Sequence, residues 1–500
     1  MKKKSDITIG EYLKISFWAI KISWSISKSA TIFSLLCEIL RSLRGIVDTY
    51  VVAKLIDILL GMISNDGAKV ADLIPFLLIL LAVDIFFSGV SELRGYAART
   101  MRRLSSSYLN KMEYEKINYL RVQTLEYPHV ANALQKVNDW LGIVTDVGNS
   151  VVRIIAAFVK IFVTGVIILK VVPLVIPLIL ATSVVFYLQR RYFFKKEFDW
   201  NTNDEHLTRR RRANWMAGEL SDPKTVGEVS ITGAYKFLDK KFTDFFNYYN
   251  SGLVKIAKQD SVSGFLVSIL SNVVIFVGYI QVFQLFLAKT ITLGNTTFYM
   301  GAVSSFYDAV ETFFAEFVAY RDFVLKAKDV YAFFKFEPVI SDGEYKLPRL
   351  DTPANIELKN ISFHYPNNDI EILKDFSLSI KSGEKVAIVG ENGAGKSTLV
   401  KLLARIYDPQ EGEILINGKD LKEIKIDDWY KNLGVLFQDF NFYGELDAKE
   451  NVYIGKSMKP MDMQKVKEAA ESADADAFIE KYPEKYDTVM SERFKGGIQP

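Results

Sequence analysis

A run of about 20 apolar residues is long enough to cross a bilayer as a helix. This chain holds five such runs, at 73–89, 151–170, 171–188, 262–288 and 297–320. A sixth, 31–62, carries Glu38, Arg41, Arg44 and Asp48. Their spacing of three, three and four places them on one stripe of a helix, with apolar residues elsewhere. Ionisable groups inside a span face protein or a water-filled cavity; the same pattern also suits a helix lying on the membrane surface. Counting it as a span gives six. Basic residues cluster between the second and third spans, from Arg94 to Arg121, and between the fourth and fifth, from Arg190 to Arg212. The connections near Asn65, Val172 and Leu293 carry few. The positive-inside rule puts the basic segments and both termini in the cytoplasm, making a multi-pass protein of the cytoplasmic membrane.

Composition separates this half from the C-terminal part of the chain. A mean hydropathy of +0.11 beside 24% charged residues is an average over two kinds of domain. The net charge of +3 argues against a nucleic-acid binder, and Arg209, Arg210, Arg211 and Arg212 beside a membrane suit anionic lipid head groups. The single cysteine, Cys37, rules out an internal disulfide and suits an apolar core. Residues 1–28 show no cleavable signal peptide. The long cytoplasmic segments read as extensions of the membrane helices, each broken by a proline: Glu126-Tyr127-Pro128 and Ser221-Asp222-Pro223.

After 341–353 the pattern becomes that of an α/β domain. Two short β-like runs, around Ile356 to Phe363 and Leu373 to Ile380, precede the apolar Val386-Ala387-Ile388-Val389, which reads as a strand. Behind it stands Gly390-Glu391-Asn392-Gly393-Ala394-Gly395-Lys396-Ser397-Thr398, then Leu399, Leu402 and Leu403 at helical spacing. That is a phosphate-binding loop in a strand, loop, helix context. The glycines let backbone N–H groups turn toward phosphate oxygens, and the helix N-terminus adds positive potential. Lys396 supplies a point charge for the β and γ phosphates, Ser397 a hydroxyl for Mg²⁺, and Thr398 a further phosphate contact.

The order of these motifs resembles an exporter-type half-transporter of the ABC transporter family, over essentially the whole chain. The resemblance implies a fold of two parts. An α-helical membrane domain has six transmembrane helices with long cytoplasmic extensions; an α/β P-loop nucleotide-binding domain follows, truncated at the C-terminus. The parts divide into a cytoplasmic segment at 1–28, the transmembrane domain at 29–328, a linker at 329–353 and the cassette at 354–500. ATP and Mg²⁺ are the implied cofactors. Tyr365, in Ile361-Ser362-Phe363-His364-Tyr365-Pro366, matches the aromatic residue that stacks on adenine. Gln438, in Gly434-Val435-Leu436-Phe437-Gln438-Asp439, resembles the glutamine that reaches Mg²⁺ or the attacking water. Asn417-Gly418 marks a β-hairpin between them. The stretch 463–486 fits a helical subdomain, and Ser491-Glu492-Arg493 the segment that contacts the coupling elbows.

By the same resemblance, Gly496-Gly497-Ile498-Gln499-Pro500 ends at the start of the signature motif, and the catalytic base lies beyond it. No catalytic residue is therefore assigned. The implied partners are a second half-transporter subunit, identical or not, membrane lipid and an exported substrate, with no nucleic acid. A membrane-bound ATPase acting as a regulator or gated channel is the alternative. Asp308, Glu311 and Glu316, with Arg153 and Lys160, suit either a cavity of both charge signs for a peptide or amphipathic compound or ion pairs between helices.

Overall fold

The computed structural model describes residues 8–63, 70–201, 203–438, 440–457 and 459–491. The connection at Asn65, Asp439, the pair Glu492-Arg493 and the closing Gly496 to Pro500 lie outside them. The chain divides into two compact units, Met1–Ile340 and Ser341–Pro500.

The first unit is helical among its described residues: α1 Ile9–Ile26, α2 Lys28–Ile63, α3 Ile74–Leu125, α4 Pro128–Trp140, α5 Ile143–Leu169, α6 Val175–Asn201, α7 Asp204–Ser221, α8 Pro223–Thr232, α9 Tyr235–Leu287 and α10 Leu293–Phe333. α1 begins at a capping box. The Thr8 side chain accepts from the Glu11 amide, and the Glu11 carboxylate accepts from the Thr8 amide. Pro128 and Pro223 each open a short helix directly after a long one has ended, as proline without an N–H does best. The 52 residues of α3 and 53 of α9 rise to nearly 80 Å. That is more than twice the roughly 30 Å of bilayer hydrocarbon, so both helices continue well past a membrane. Three helices, α3, α5 and α9, are long and apolar enough to span one.

Two separate cores hold these helices. One gathers Ile15 and Ala19 of α1, Leu120 of α3, Val137 of α4, Val144 of α5 and Val330 of α10. The other joins Ile168 of α5, Ile179 of α6, Val282 of α9 and Phe306 of α10. The segment after α10 is tied back to α3: Lys116 donates to the Phe336 carbonyl at 2.6 Å, the Tyr119 hydroxyl to Glu337 at 2.5 Å, and the Val339 amide to the Thr124 hydroxyl at 2.8 Å. Cys37 is buried, as its apolar surroundings suggest.

Two residues of the polar stripe on α2, Glu38 and Arg44, have partners on α3. Glu38 pairs with Arg94, and Arg44 bridges Asp48 of its own helix at 3.2 Å and Asp84 of α3 at 2.8 Å. Across α5 and α10, Arg153 pairs with Glu316 at 2.7 Å, and Lys160 lies within electrostatic reach of Asp308. These four residues thus face one another between helices, leaving Glu311, alone of Asp308, Glu311 and Glu316, outside such pairing among the described residues.

The second unit carries a four-stranded antiparallel sheet, in the order β2-β1-β3-β4, of β1 Ile356–Phe363, β2 Leu373–Ile380, β3 Glu411–Ile416 and β4 Lys419–Asp420. The Asn417-Gly418 turn joins β3 to β4 with both residues at positive φ, +49° and +79°, the hairpin geometry its sequence favours. Helices α11 Lys396–Leu403, α12 Ile426–Tyr430, α13 Ala448–Tyr453, α14 Met463–Ser472 and α15 Asp476–Ile479 complete the unit. The region 463–486 is therefore broken helix rather than one continuous segment. Leu358, Ile361 and Phe363 of β1 pack with Leu399 and Leu402 of α11 and with Ile416. Arg405, 1% exposed, donates to the carbonyls of Ile424, Ser341 and Lys422 and pairs with Asp408, fastening the end of α11 to two loops.

Contrary to the sequence expectation, Val386-Ala387-Ile388-Val389 is not a strand; the segment 434–437, for which no strand was expected, is not one either. A strand needs a neighbouring ladder for its amides and carbonyls, and no strand pairs with either segment among the described residues. Val389 and Leu436 are accordingly 89% and 86% exposed. The described sheet is antiparallel throughout.

If the Arg153–Glu316 pair is structural, removing one partner strands the other charge between α5 and α10. Arg153→Met or Glu316→Met alone should lower the thermal midpoint, and the double substitution should recover most of the loss. The double-mutant coupling should be about 1–2 kcal/mol. Additive losses in a thermal-melt cycle would show that the pair does not hold the two helices together.

Candidate nucleotide-binding site

The loop's shape begins with glycine. Gly393 and Gly395 have φ of +88° and +84°, a region that side-chain-bearing residues enter only at a cost. At Gly395 space is also missing: an added Cβ would lie 2.9 Å from the Leu373 side chain and 3.3 Å from the Ile372 carbonyl. The loop therefore lies flat against the start of β2. Its middle closes as a turn, with the Ala394 amide donating to the Glu391 carbonyl at 3.2 Å.

Lys396 then folds back over that turn. Its ammonium donates to the carbonyls of Gly390 and Glu391, both at 2.7 Å. The cation is fixed over the concave side of the loop by two neutral acceptors. An anionic oxygen would bind it more strongly than either carbonyl does. Gly395 caps α11 without a side chain, so the amides of Lys396, Ser397 and Thr398 have no acceptor within the helix. Three N–H donors, a helix dipole and one ammonium converge at this place, an arrangement that favours phosphate over any neutral ligand.

Ser397 and Thr398 take opposite sides. Ser397 is exposed at the helix start, whereas Thr398 is 5% exposed and its hydroxyl shares a 3.0 Å hydrogen bond with that of Tyr365. The Tyr365 ring stands edge-on to Phe363 and Tyr407, with centroids 5.1 and 5.3 Å away. The Lys401 ammonium lies 5.4 Å from its centroid. The structure thus joins Tyr365, Thr398 and the loop from Gly390 to Lys396 into one locale. Asn392 and Ala394 form the exposed turn.

Gln438 is not brought to them. It stands exposed in a bend, with no hydrogen bond to the loop among the described residues. His364 belongs to the end of the sheet, its amide donating to Gln410 at 3.0 Å. No group of three or more His, Cys, Asp or Glu able to hold a metal occurs among the described residues. Sequence reasoning did not single out Lys401 or Tyr407. The signal for Lys401 was available, because it follows Thr398 by three positions and so shares its face of α11.

The ABC transporter family model matches residues 373–495, taking in the loop and α11. This part of the chain is therefore similar to the ATP-binding domain of ABC transporters. The subtilin transport ATP-binding protein SpaT of Bacillus subtilis is 24% identical over 485 residues, covering 96% of this chain and 77% of that protein. The putative multidrug export ATP-binding/permease protein YgaD of the same species is 30% identical over 203 residues, 41% of this chain and 34% of its own length. ABC transporter B family member 29, chloroplastic, of Arabidopsis thaliana is 40% identical over 140 residues, 28% of this chain and 22% of that protein. A relative named as a transport ATP-binding protein thus aligns with most of this chain, helical unit included.

The loop geometry ranks its glycines. Gly395→Ala meets both positive φ and a collision, Gly393→Ala meets positive φ with nothing within 4 Å, and Gly390→Ala meets only the Ala394 methyl at 3.3 Å. In titrations with a fluorescent ATP analogue, affinity should fall most for Gly395→Ala, by about tenfold or more, less for Gly393→Ala, and least for Gly390→Ala. Equal losses at all three would show that loop shape is not what binds the phosphates.

Proposed function

We propose that this chain is an ABC half-transporter that couples binding and hydrolysis of ATP to export of a substrate across the cytoplasmic membrane. The observation that carries this reading is one chain holding both parts: a phosphate loop with its lysine poised over it, and a bundle of long apolar helices. The names of two relatives, one for subtilin transport and one for multidrug export, favour export over the regulator or channel alternative.

In this reading α2, α3, α5, α6, α9 and α10 are the six spans, with both termini cytoplasmic. The three helices that fall short of a span by length and composition are α2, α6 and α10. α2 has Glu38 and Arg44 paired with α3, and α10 has Glu316 paired with Arg153 on α5, placements consistent with membrane burial. The functional division is 1–28, 29–328, 329–353 and 354–500. Tyr365 stacks on the adenine, which its half-buried ring between Phe363 and Lys401 suits. The backbone from Gly390 through Thr398 and the Lys396 ammonium hold the triphosphate.

Mg²⁺ fits as a partner of that triphosphate, because it takes few protein ligands and keeps phosphate oxygens and water. The Ser397 hydroxyl beside three free amides would hold it, with Gln438 joining once nucleotide is bound. The ion would offset phosphate charge. A second copy or a related subunit completes the transporter, as is usual for half-transporters, and lipid surrounds the helices.

ATPase activity of the full chain reconstituted in lipid tests the reading. Lys396→Ala should lower turnover about a hundredfold or more. Tyr365→Phe, which keeps the ring, should raise the KM for ATP only a few-fold, and Tyr365→Ala about tenfold. Turnover unchanged in Lys396→Ala would reject it; nucleotide-gated ion current without turnover would favour the channel.

A further inference from the structure

Threonines in the helices of this chain turn their hydroxyls back on their own helix. Thr31, Thr164, Thr232 and Thr296 each donate to the carbonyl four positions back, at 2.7 to 2.9 Å, as a threonine inside a helix commonly does. Thr398 does otherwise. The residue four before it is Ala394, in the turn ahead of left-handed Gly395, and among the described residues the Thr398 hydroxyl has no backbone acceptor. Its hydrogen bond is with the Tyr365 hydroxyl, at 3.0 Å. The Thr398 side chain is buried, so this bond is not traded for one with water.

A bond between two hydroxyls uses one of two protons, and the chemistry of the partners decides which. A phenol is the better donor and an alkyl hydroxyl the better acceptor. The Lys401 ammonium, 5.4 Å from the centre of the Tyr365 ring, favours the same direction, because a cation beside the ring stabilises the negative charge that donation leaves on the phenol oxygen. The ring is held in line by the buried side chains of Phe363 and Tyr407, to which it stands edge-on. With Tyr365 donating, Thr398 Oγ1 is the acceptor and its own proton is left over. That proton sits on a residue whose amide is one of the free N–H groups at the head of α11.

We propose that Tyr365 is a positioning residue for the phosphates as well as a platform for the base: its hydroxyl donates to Thr398 Oγ1 and so turns the Thr398 proton toward a phosphate oxygen. An O–H whose oxygen already accepts a hydrogen bond is itself a stronger donor, and a bond to an anionic oxygen is stronger again. The proton stays on Thr398 throughout. This role rests on the ATP-binding reading for the identity of the anion, but a ligand that has phosphates and no base can report it.

The test uses inorganic tripolyphosphate, which carries the phosphates and has nothing to stack. Its binding to the full chain in detergent, with Mg²⁺, is measured by calorimetric titration beside that of ATP. Tyr365→Phe, which keeps the ring and removes the hydroxyl, should weaken tripolyphosphate by about threefold and ATP by the same factor. Thr398→Val should weaken both about tenfold, and Thr398→Ser should stay within about twofold of the unaltered chain. Because the two residues act through one hydroxyl, adding Tyr365→Phe to Thr398→Val should weaken binding no further. Thermal melts report that each variant is folded. Tripolyphosphate affinity that ignores Tyr365→Phe in a folded protein, or losses that add in the double variant, overturns the proposal. Tripolyphosphate bound as tightly as ATP, with the Tyr365→Phe loss intact, supports the hydroxyl pair and rejects the nucleotide reading; ATP bound far more tightly, with tripolyphosphate blind to the hydroxyl, does the reverse.

Discussion

Lys396 is held by the carbonyls of its own loop, at 2.7 Å from both Gly390 and Glu391, and the nucleotide site depends on that contact. The two carbonyls hold the long side chain over the loop, where a free lysine would sample many rotamers. They are also weaker partners than phosphate oxygens, so a triphosphate exchanges them at little ordering cost. The positive φ of Gly393 and Gly395 makes room for this fold-back. The packing of Leu399 and Leu402 into the sheet core sets where α11 begins and so where its free amides point.

The membrane half handles charge differently. Ionisable residues on α2, α3, α5 and α10 are matched across helices: Glu38 with Arg94, Arg44 with Asp84, and Arg153 with Glu316. Such pairs bring polar groups into an apolar bundle without leaving a bare charge there. Glu311 differs, because the same packing gives it the Tyr307 phenol instead of a cation.

Much of this was legible in the sequence. The phosphate loop was, because strand-like approach, glycines, Lys396 and helical leucines occur in fixed order. The elbows at Pro128 and Pro223 were, because proline has one place at a helix start. The hairpin at Asn417-Gly418 was, because few other residues accept two positive φ values. Other features were not. The strand at Val386 to Val389 rested on composition alone, but a ladder needs a neighbour that no local pattern reports. The pairing of Arg153 with Glu316 joins residues far apart in sequence, and only helix packing decides between such a pair and a charged cavity. Thr8 and Glu11 spell the capping box of α1, yet that helix buries one narrow stripe and so shows no apolar run of spanning length. Arg405 gave no sign, because its partners are backbone carbonyls in distant loops.

At the centre stands the claim that the Lys396 ammonium, poised over the loop, reads the terminal phosphates. Its most direct test is calorimetric titration of the full chain with ATP and AMP, comparing the protein with its Lys396→Met variant. ATP should bind about a hundredfold more tightly than AMP, and the variant should lose most of this difference while its AMP affinity stays within about threefold. Equal affinities for ATP and AMP in the unaltered protein, or a difference that survives Lys396→Met, would contradict it.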